Sequence, residues 1–382
     1  MTNNYLVVIS ILFIVYTYAV YPFILWVSGK LKKNSKFVDT VDVLPRVTVM
    51  FAAYNEESCI KKTLLSIVDS DYPKELLDVI VISDASTDNT DMLAGTISEE
   101  RIRVLRTPER MGKKAALSYG YKCLTGEIIV FTDASSIFAR DTISKLVYYF
   151  NNKKVGSISG SKRIINTGSS VSQGDGLYWR YDSLLRYLES EAGASWVGCE
   201  GGIAAIRREL FILDFPDDFA EDYSLCCNVF KNGYLNKYDP AAVIYETASK
   251  NHRMEFHRKI RVIVRGIRAF FGYGHLLNPI KYPNFFFQNI SHRLFRWLVP
   301  FFLVILFIAS SKSNNQLIRV LFYMQVNFYL AAILGFFMKY FKINSVKLLS
   351  IPLYFTIVNA AALFSWFLLF KKFKIWMPPK RG

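Results

Sequence analysis

The chain has 382 residues, of which 52% are hydrophobic and 16% aromatic, and its formal net charge is +16. This composition is too apolar for an ordinary soluble enzyme, so we expect one part of the chain in a membrane and another in a globular domain. The charge alone fits nucleic acid, an anionic membrane surface or a phosphorylated substrate, and the positions of the basic residues favour the last two.

The chain opens with an apolar segment. Residues from Tyr5 to Val27 are almost all apolar or aromatic, which is long enough for a helix to cross roughly 30 Å of hydrocarbon. Lys30, Lys32 and Lys33 follow the segment, whereas a signal peptide would carry its basic residues before it. The segment therefore predicts a membrane anchor with its N-terminus outside and the next domain inside.

A globular region is expected between Pro45 and Phe150. Segments rich in β-branched residues alternate there with segments of helical period, which predicts a parallel sheet covered on both faces. The predicted strands are Val47 to Ala53, Val79 to Ser83, Arg103 to Leu105 and Ile128 to Thr132. The first helix would bury one face, formed by Ile60, Leu64, Leu65 and Val68.

Acidic residues follow three of these four strands: Glu56 after the first, Asp84 after the second and Asp133 after the fourth. Each alone could be a turn or helix-cap residue. Together they would lie at the carboxyl ends of the strands, where such sheets bind ligands. Converging carboxylates suit hydrogen bonds to a nucleoside and a divalent cation on a diphosphate. The sequence lacks the glycine-rich motifs of other nucleotide folds, which favours a nucleotide-sugar site.

From about Pro45 to Gly266 the sequence resembles the membrane-integrated branch of glycosyltransferase family 2, which includes cellulose, chitin, hyaluronan and poly-N-acetylglucosamine synthases. The segments that carry the resemblance occur in the family order: VTVMFAAYNEE, ISDASTD, RMGKKAA, TDASS, CEGGIAAIR and FAEDYSL. The resemblance implies an α/β fold of the GT-A type, with a Rossmann-like, mostly parallel sheet in a cytoplasmic domain and α-helical transmembrane segments beside it.

The resemblance also implies a nucleotide-sugar site. Tyr54 and Glu56 would contact the base and ribose, Asp84 would face the base, and Lys113 would lie near the nucleotide. A solvated lysine is the alternative for Lys113.

Asp133 matches the first aspartate of the family's metal-binding D-x-D motif, but Ser135 stands where the second would be. Asp133, the donor diphosphate and water would complete a Mg²⁺ or Mn²⁺ site, because these ions often take only one or two carboxylates. The resemblance therefore implies a divalent cation with Asp133 as its protein ligand.

The catalytic and acceptor-side residues are implied by two further segments. Asp222 matches the family's general base; a carboxylate that stabilises the helix dipole is the alternative. Gly201 and Gly202 would let an acceptor sugar approach the backbone, although a turn before a strand explains them equally well. Glu221 and Trp179 are expected on the acceptor side, where core packing is the alternative for the tryptophan.

Four arginines form a regular stripe. Arg258, Arg261, Arg265 and Arg268 are spaced by three, four and three residues, which predicts the cationic face of an amphipathic helix at a membrane surface. The family places a Q-x-x-R-W motif here. Arg258 and Arg261 match its Gln and Arg positions, which implies contact with the diphosphate, while Val262 replaces the Trp and argues against a processive enzyme. Anionic lipid is the alternative partner of the stripe.

Three more apolar stretches follow, and we expect them to form a membrane bundle: Leu294 to Ala309, Leu317 to Phe337 and Leu349 to Phe370. The first is short and contains Pro300, so spanning the membrane and lying in its interface are both open. The expected organisation is an anchor at 1–30, a cytoplasmic GT-A domain at 31–250, amphipathic interface helices at 251–293, and a C-terminal transmembrane bundle with a basic tail at 294–382.

The sequence thus predicts an inverting glycosyltransferase of a bacterial inner membrane, with its catalytic domain in the cytoplasm. It would move a sugar from a nucleotide sugar, in this interpretation a UDP-sugar, to a growing cell-surface polysaccharide or glycan. Its partners would be the donor, a glycan or lipid-linked acceptor and the bilayer. Nucleic acid is not expected, because the clustered arginines lie beside membrane segments.

Two alternatives remain open. One is a non-processive transferase that adds a single sugar to a polyprenyl phosphate or lipid-linked acceptor. The other is a non-catalytic, nucleotide-binding membrane scaffold or transporter component.

Overall fold

A computed structural model of the protein describes residues 2–31, 43–165, 171–193, 202–247, 252–341 and 347–370. Within these residues, an eight-stranded sheet lies between two apolar clusters, and four long apolar helices lie beside it. Gly201 and the basic tail after Phe370 lie outside the described residues.

The sheet is parallel on one side and mixed on the other. Its strands are β1 (Val47–Ala53), β2 (Leu77–Ser83), β3 (Ile102–Arg106), β4 (Ile128–Thr132), β5 (Ile137–Phe138), β6 (Val155–Ile165), β7 (Ile203–Arg207) and β8 (Leu235–Thr247). They follow one another across the sheet in the order β3-β2-β1-β4-β7-β6-β8-β5. The first four strands pair in parallel, β7 is antiparallel to β4 and β6, β8 is parallel to β6, and β5 is antiparallel to β8.

The α-helices are α1 (Thr2–Val15), α2 (Tyr21–Leu31), α3 (Ile60–Val68), α4 (Thr90–Gly95), α5 (Lys113–Tyr121), α6 (Thr142–Tyr148), α7 (Val171–Glu191), α8 (Glu221–Lys231), α9 (His252–Gly272), α10 (Pro283–Asn289), α11 (Phe295–Ser311), α12 (Gln316–Tyr340) and α13 (Lys347–Phe367). Short π-helical segments, Tyr16–Val20 and Ile290–Leu294, join α1 to α2 and α10 to α11. Single 3-10 turns occur at Lys74–Leu76, Tyr149–Asn151, Arg208–Leu210 and Gly274–Leu276.

The sheet is stabilised from both faces. All seven residues of β1 are buried, and successive side chains point to opposite sides of a strand. Met50 and Ala52 join a cluster formed with α5, α8 and α9, whereas Val49 and Phe51 join a second cluster formed with α3 and α6. Strands that are buried on both faces suit the continuous β-branched runs seen in the sequence.

The predicted strands are confirmed, β1 and β4 with identical bounds and the other two slightly longer than expected. The buried face of α3 differs at one position. Leu65 is 39% exposed, so its assignment to the core is wrong. Residues at i, i+3, i+4, i+7 and i+8 share a helix face, and the buried set is accordingly Ile60, Thr63, Leu64, Ile67 and Val68.

Four helices in the described part of the chain are long and apolar enough to cross a membrane: Thr2–Leu31, Pro283–Ser311, Gln316–Met338 and Leu348–Phe367. The second contains the short stretch from Leu294 to Ala309 and continues past Pro300, so this stretch is part of a helix long enough to span a membrane. The first helix packs along it, with the rings of Phe13 and Phe302 stacked 3.8 Å apart and Val7 against Leu306. Both ends of the chain therefore contribute to one helical bundle.

A buried polar cluster joins α7 to this bundle. Arg296 donates a hydrogen bond to Asp182 on α7 at 2.8 Å. Further along α7, Glu189 accepts a hydrogen bond from the Tyr21 hydroxyl at 2.5 Å and lies 2.8 Å from Nδ1 of His292. Asp182 and Glu189 are almost completely buried. Because an unpaired buried charge is very costly, these partners fix α7 relative to the apolar helices.

The helix that carries the arginine stripe, α9, lies between the sheet and α13. Ile260 and Val264 pack against Ala361 of α13, and Nζ of Lys259 donates a hydrogen bond to the Tyr354 hydroxyl at 2.8 Å. The apolar face that the sequence predicted for a membrane surface is therefore largely covered by protein.

We expect Leu64→Ala to lower the free energy of unfolding by about 2–5 kcal/mol, because it leaves a cavity between α3 and the sheet. Leu65→Ala is the matched control, and it should change that free energy by less than about 1 kcal/mol, since its side chain is partly in solvent. Thermal denaturation of the two variants in the same detergent measures the difference. Equal shifts in Tm would contradict the assigned helix face.

Candidate active site

The loops that follow β1, β2 and β4 meet at one edge of the sheet. The ends of β1 and β2 are level, since Ala53 is paired with Ser83. The backbone N–H of Asp84 then donates to the Ala53 carbonyl at 2.8 Å. Asp133 follows β4, the other neighbour of β1, at the same edge. The sheet thus brings together the three acidic loops that the sequence singled out.

The loops after β1 and β2 are tied to each other and locally strained. Asn55 and Ala85 have φ values of 55° and 53°, a left-handed conformation that non-glycine residues rarely adopt. The Asn55 side chain accepts a hydrogen bond from the N–H of Thr87 at 2.8 Å, and the N–H of Glu56 donates to Oγ1 of Thr90 at 2.8 Å. Strain that is held by surrounding contacts is common where a loop clamps a ligand.

Tyr54 and Glu56 lie in the loop after β1. The guanidinium of Arg110 lies over the Tyr54 ring, 3.8 Å from its centroid, in a cation–π contact. Glu56 is 7% exposed, and its Oε2 is 3.1 Å from the thiol of Cys59. A polar aromatic ring, a carboxylate and a guanidinium are groups that can contact a base and its ribose.

Asp84 orders the next loop. Its carboxylate is 1% exposed and accepts hydrogen bonds from the N–H groups of Met111 at 2.7 Å and Gly112 at 2.9 Å. Gly112 has a φ of 89°, a conformation that glycine adopts without strain. The observed contacts of Asp84 thus hold the turn that starts α5 at Lys113, and its contact with a base stays a prediction.

Lys113 is the centre of the charged groups. Its Nζ lies 2.5 Å from Oδ1 of Asp133, and its side chain is only 17% exposed. Burial lowers the pKa of Lys113, but the negative charges of Asp133, Glu221 and Asp222 outweigh burial and raise the pKa above its ordinary value. Lys113 therefore remains an ammonium group near neutral pH and is surrounded by three carboxylates.

Glu221 and Asp222 form the first turn of α8. Oδ1 of Asp222 accepts a hydrogen bond from the N–H of Tyr223 at 2.8 Å, which orients the carboxylate at the helix terminus. Glu221 faces Arg265 on α9 at 3.5 Å. Both the dipole-stabilising role and the general-base role expected for Asp222 are compatible with this position.

Arg261 interacts with Glu221 of this group, and Arg258 lies near Arg261. Burial lowers the pKa of Arg261, as do the neighbouring positive charges of Arg265 and Arg258, whereas Glu221 raises it. The net direction is downward, although a guanidinium stays charged at any physiological pH. Three clustered cations in a half-buried place are an electrostatically unfavourable arrangement that a bound diphosphate would relieve.

The other end of the arginine stripe has protein partners. Arg265 donates a hydrogen bond to the Asp217 carbonyl at 3.0 Å. Arg268 lies 3.2 Å from an oxygen of Asp218 and also donates to the carbonyl of Leu369. Arg265 and Arg268 therefore have partners within the protein, and contact of the stripe with anionic lipid stays a prediction.

Gly202 lies beside the Asp133 loop. Its carbonyl accepts hydrogen bonds from Oγ1 of Thr132 at 2.5 Å and from Oγ of Ser136 at 3.3 Å. Trp179 on α7 is half-buried. Gly202 and Trp179 thus lie on the β7 side of Asp133, opposite to the loops after β1 and β2, whereas Glu221, the third described residue of the predicted acceptor side, lies at the start of α8.

The side chains around Asp133 fit a metal ion only if the donor supplies most of the ligands. Asp133 is one-third exposed, whereas Ser135, at the second position of the D-x-D pattern, is buried. Among the described residues, there is no group of three His, Cys, Asp or Glu side chains that could hold an ion. One carboxylate plus phosphate oxygens and water is a normal set for Mg²⁺ or Mn²⁺, so Asp133 suits this role.

Sequence reasoning missed two residues that the structure brings to the site, Arg110 and Arg265. Arg110 precedes the Gly-Lys segment that was used for Lys113, and Arg265 belongs to the arginine stripe. Their proximity to Tyr54 and Glu221 depends on how separate elements pack, which a linear pattern does not contain.

The region of the sequence that matches a known protein family contains most strands of this sheet. Residues 48–213 match the family profile described as Glycosyl transferase family 2. The Bacillus subtilis (strain 168) protein called Probable glycosyltransferase YdaM is 27% identical over 312 residues, which cover 75% of this chain and 69% of that protein. Poly-beta-1,6-N-acetyl-D-glucosamine synthase of Staphylococcus aureus (strain COL) is 27% identical over 245 residues, covering 60% of this chain and 58% of the synthase. This match spans less than two thirds of the synthase.

A solved structure resembles almost the whole chain. Mannosyltransferase PcManGT from Pyrobaculum calidifontis, in complex with GDP-Man and Mn²⁺, has a TM-score of 0.68 and 25% identity. The likeness covers 94% of this chain and 99% of that one, so it includes apolar helices as well as the sheet. The predicted architecture, a GT-A-type α/β domain combined with long apolar helices, is confirmed.

We expect Lys113→Met to weaken the binding of a nucleoside diphosphate roughly 10- to 100-fold, because it removes a charge-assisted bond to phosphate. Equilibrium binding of UDP and of GDP in the presence of Mn²⁺ measures the change. The neighbouring lysine provides the control: Lys114 pairs with Asp217 and the Phe215 carbonyl, so Lys114→Met should alter Kd by no more than about two-fold. Similar losses in both variants would show that position 113 has no special role.

Proposed function

Because the chain carries a glycosyl transferase family 2 domain and is a glycosyltransferase, we propose that it is an inverting enzyme that moves a sugar from a nucleotide sugar to a growing cell-surface polysaccharide or glycan. The observation that carries the proposal is the clustering of Lys113 with Asp133, Glu221 and Asp222. In this cluster, Lys113 would bind phosphate, Asp133 would bind a metal ion, and Asp222 would accept a proton.

The nucleoside end of the donor would bind at the loops after β1 and β2. Tyr54 and Glu56 would contact the base and ribose, and Asp84 would face the base. The relatives leave the nucleotide open, because the solved mannosyltransferase contains GDP-Man. We propose a UDP-sugar, with GDP-mannose as the donor to be compared with it.

The diphosphate would lie among Lys113, Arg258 and Arg261. These cations would bind its oxygens and stabilise the negative charge that grows on the leaving nucleotide. Asp133 would hold Mg²⁺ or Mn²⁺ against the same phosphates, and the ion supplies additional charge neutralisation when bound. The Mn²⁺ in the solved mannosyltransferase supports this cofactor.

Asp222 would act as the general base. As the acceptor oxygen forms a bond to the anomeric carbon, its proton passes to Asp222, and the bond between that carbon and the diphosphate oxygen breaks with its electron pair on the nucleotide. Attack from the face opposite the leaving group inverts the configuration. The N–H of Tyr223 donates a hydrogen bond to one oxygen of Asp222 and so orients the carboxylate, which supports this proposal.

We further propose that the acceptor approaches from Gly201, Gly202, Trp179 and Glu221, and that the sheet domain faces the cytoplasm of a bacterial cell. The lysines after the first helix support this orientation. The four apolar helices support an enzyme that works at a membrane.

A second candidate acceptor is a lipid-linked sugar. Val262, which stands where the processive relatives have a tryptophan, is 54% exposed and offers no ring for a glycan. In addition, α11, α12 and α13 line an open apolar groove of about 280 Å³, whose walls include Leu303, Phe307 and Phe355. A labelled product that extracts into organic solvent would support this acceptor, whereas a water-soluble labelled polymer would support the first.

Replacement of the base tests the mechanism. We expect Asp222→Asn to lower kcat for nucleoside diphosphate release about 10²- to 10⁴-fold with little change in donor KM, because the amide cannot accept the proton. The assay uses detergent-purified enzyme with a panel of UDP-sugars and GDP-mannose.

Asp217→Asn is the control for this variant. Asp217 lies shortly before Asp222 but its side chain is 90% exposed, so activity should stay within about two-fold of the wild type. Unchanged release by Asp222→Asn would assign the base to another residue. If the wild type released nucleoside diphosphate from none of the donors in the panel, transferase activity would be contradicted.

Removal of divalent cations with EDTA should abolish nucleoside diphosphate release, and Mn²⁺ or Mg²⁺ should restore it. Asp133→Asn should raise the half-saturating metal concentration at least about ten-fold, because losing even an outer-shell partner weakens metal binding about 10- to 100-fold. Full activity in EDTA would contradict the metal site.

A further inference from the structure

A buried ion pair lies near the acceptor side of the site. Lys162 is near the carboxyl end of β6 and Glu246 near the carboxyl end of β8. Nζ of Lys162 is 3.1 Å from Oε1 of Glu246, and the two side chains are only 9% and 10% exposed. Burying such a pair usually costs as much as it gains, so stability alone is a weak explanation for it.

Hydrogen bonds connect this pair to the Asp133 loop. Oε1 of Glu246 is 3.4 Å from Oγ of Ser136, and the same hydroxyl donates to the Gly202 carbonyl. The N–H of Ser136 in turn donates to the carbonyl of Asp133 at 3.1 Å. The ion pair is therefore one short turn of chain away from the proposed metal ligand.

The backbone of Gly202 lies directly against the pair, where a side chain would crowd it. A Cβ atom at Gly202 would lie 3.1 Å from Oε1 of Glu246 and 3.2 Å from Cε of Lys162. Trp179 borders the pair as well, with Nζ of Lys162 5.6 Å from the centroid of its ring. A carboxylate, an ammonium group and an aromatic ring thus surround a backbone position that has no side chain.

The order of the strands indicates what would bind here. From the loops proposed for the nucleoside, the sheet continues through β4, which leads to Asp133, and then through β7 to β6 and β8. Neighbouring strands are about 4.8 Å apart, so β6 lies roughly 10 Å beyond β4. This distance would accommodate the transferred sugar, with the acceptor sugar beyond it.

We propose that Lys162 and Glu246, together with Trp179, form a subsite that recognises hydroxyl groups of the acceptor sugar. The ring would cover an apolar face of the sugar. The two charged groups would exchange part of their mutual contact for hydrogen bonds with hydroxyls, which are stronger when one partner is charged. The subsite rests on the proposed transferase function, and it names the residues that select the acceptor.

The experiment measures how a labelled donor sugar is divided between transfer and hydrolysis. Membranes containing the full-length enzyme and its endogenous acceptor receive a labelled nucleotide sugar from which the wild type releases nucleotide. Label in lipid or polymer reports transfer, and free labelled sugar reports attack by water. Glu246→Gln should lower the ratio of transfer to hydrolysis roughly 10- to 100-fold, with hydrolysis within about two-fold of the wild type.

A double variant, Lys162→Met/Glu246→Leu, separates recognition from folding. Apolar replacement of a buried ion pair is often neutral for stability, so Tm should stay the same or rise while the ratio falls as in the single variant. The matched control is Arg103→Gln, which removes an ion pair with Asp78 at the opposite end of the sheet and should leave the ratio unchanged.

An unchanged ratio in both pair variants would overturn the subsite. An equal loss of transfer and hydrolysis would also overturn it, because the pair would then serve the donor or the fold. A wild-type enzyme that releases no nucleotide would contradict the proposed function itself, which is a separate result.

Discussion

The parallel pairing of β1 with β2 and β4 is the constraint on which the site depends. Parallel strands end at a common edge, so the loops that begin at Tyr54, Asp84 and Asp133 meet although they are far apart in the sequence. The same edge receives the start of α5, because Asp84 holds the turn before Lys113. A sheet with one of these strands reversed would separate one of these loops from the ammonium group of Lys113.

Electrostatic balance explains why the remaining charges sit where they do. Lys113 is surrounded by carboxylates from the loop after β4 and from α8, and Arg261 and Arg265 of α9 interact with Glu221. Each set of charges limits the repulsion within the other, so a half-buried pocket can hold them before a substrate arrives. A bound diphosphate would add negative charge beside the arginines and so relieve the repulsion that remains among them.

The sequence predicted the parts of the structure that depend on local pattern. The strands β1 and β4 were predicted with their bounds because strands buried on both faces are continuous apolar runs. The helical spacing of apolar residues also predicted α3, although it assigned Leu65 to the buried face and the structure has it partly exposed. Contacts between distant elements were not predicted: Arg110 over Tyr54, and Lys162 with Glu246, depend on loop conformation and strand order. The roles of the site residues came from resemblance, and they remain predictions.

Helix α9 lies between the sheet and α13, so it connects the proposed active site to the apolar helices. The helix that presents Arg261 to the site also packs its apolar side against Ala361, and Arg268 is bonded to the carbonyl of Leu369 at the end of the last apolar helix. The helix that carries these arginines is thus supported by an apolar helix of the bundle. The sheet domain is therefore packed against the apolar helices and not merely connected to them by a linker, and a fragment cut before α10 would lack the helix that supports α9.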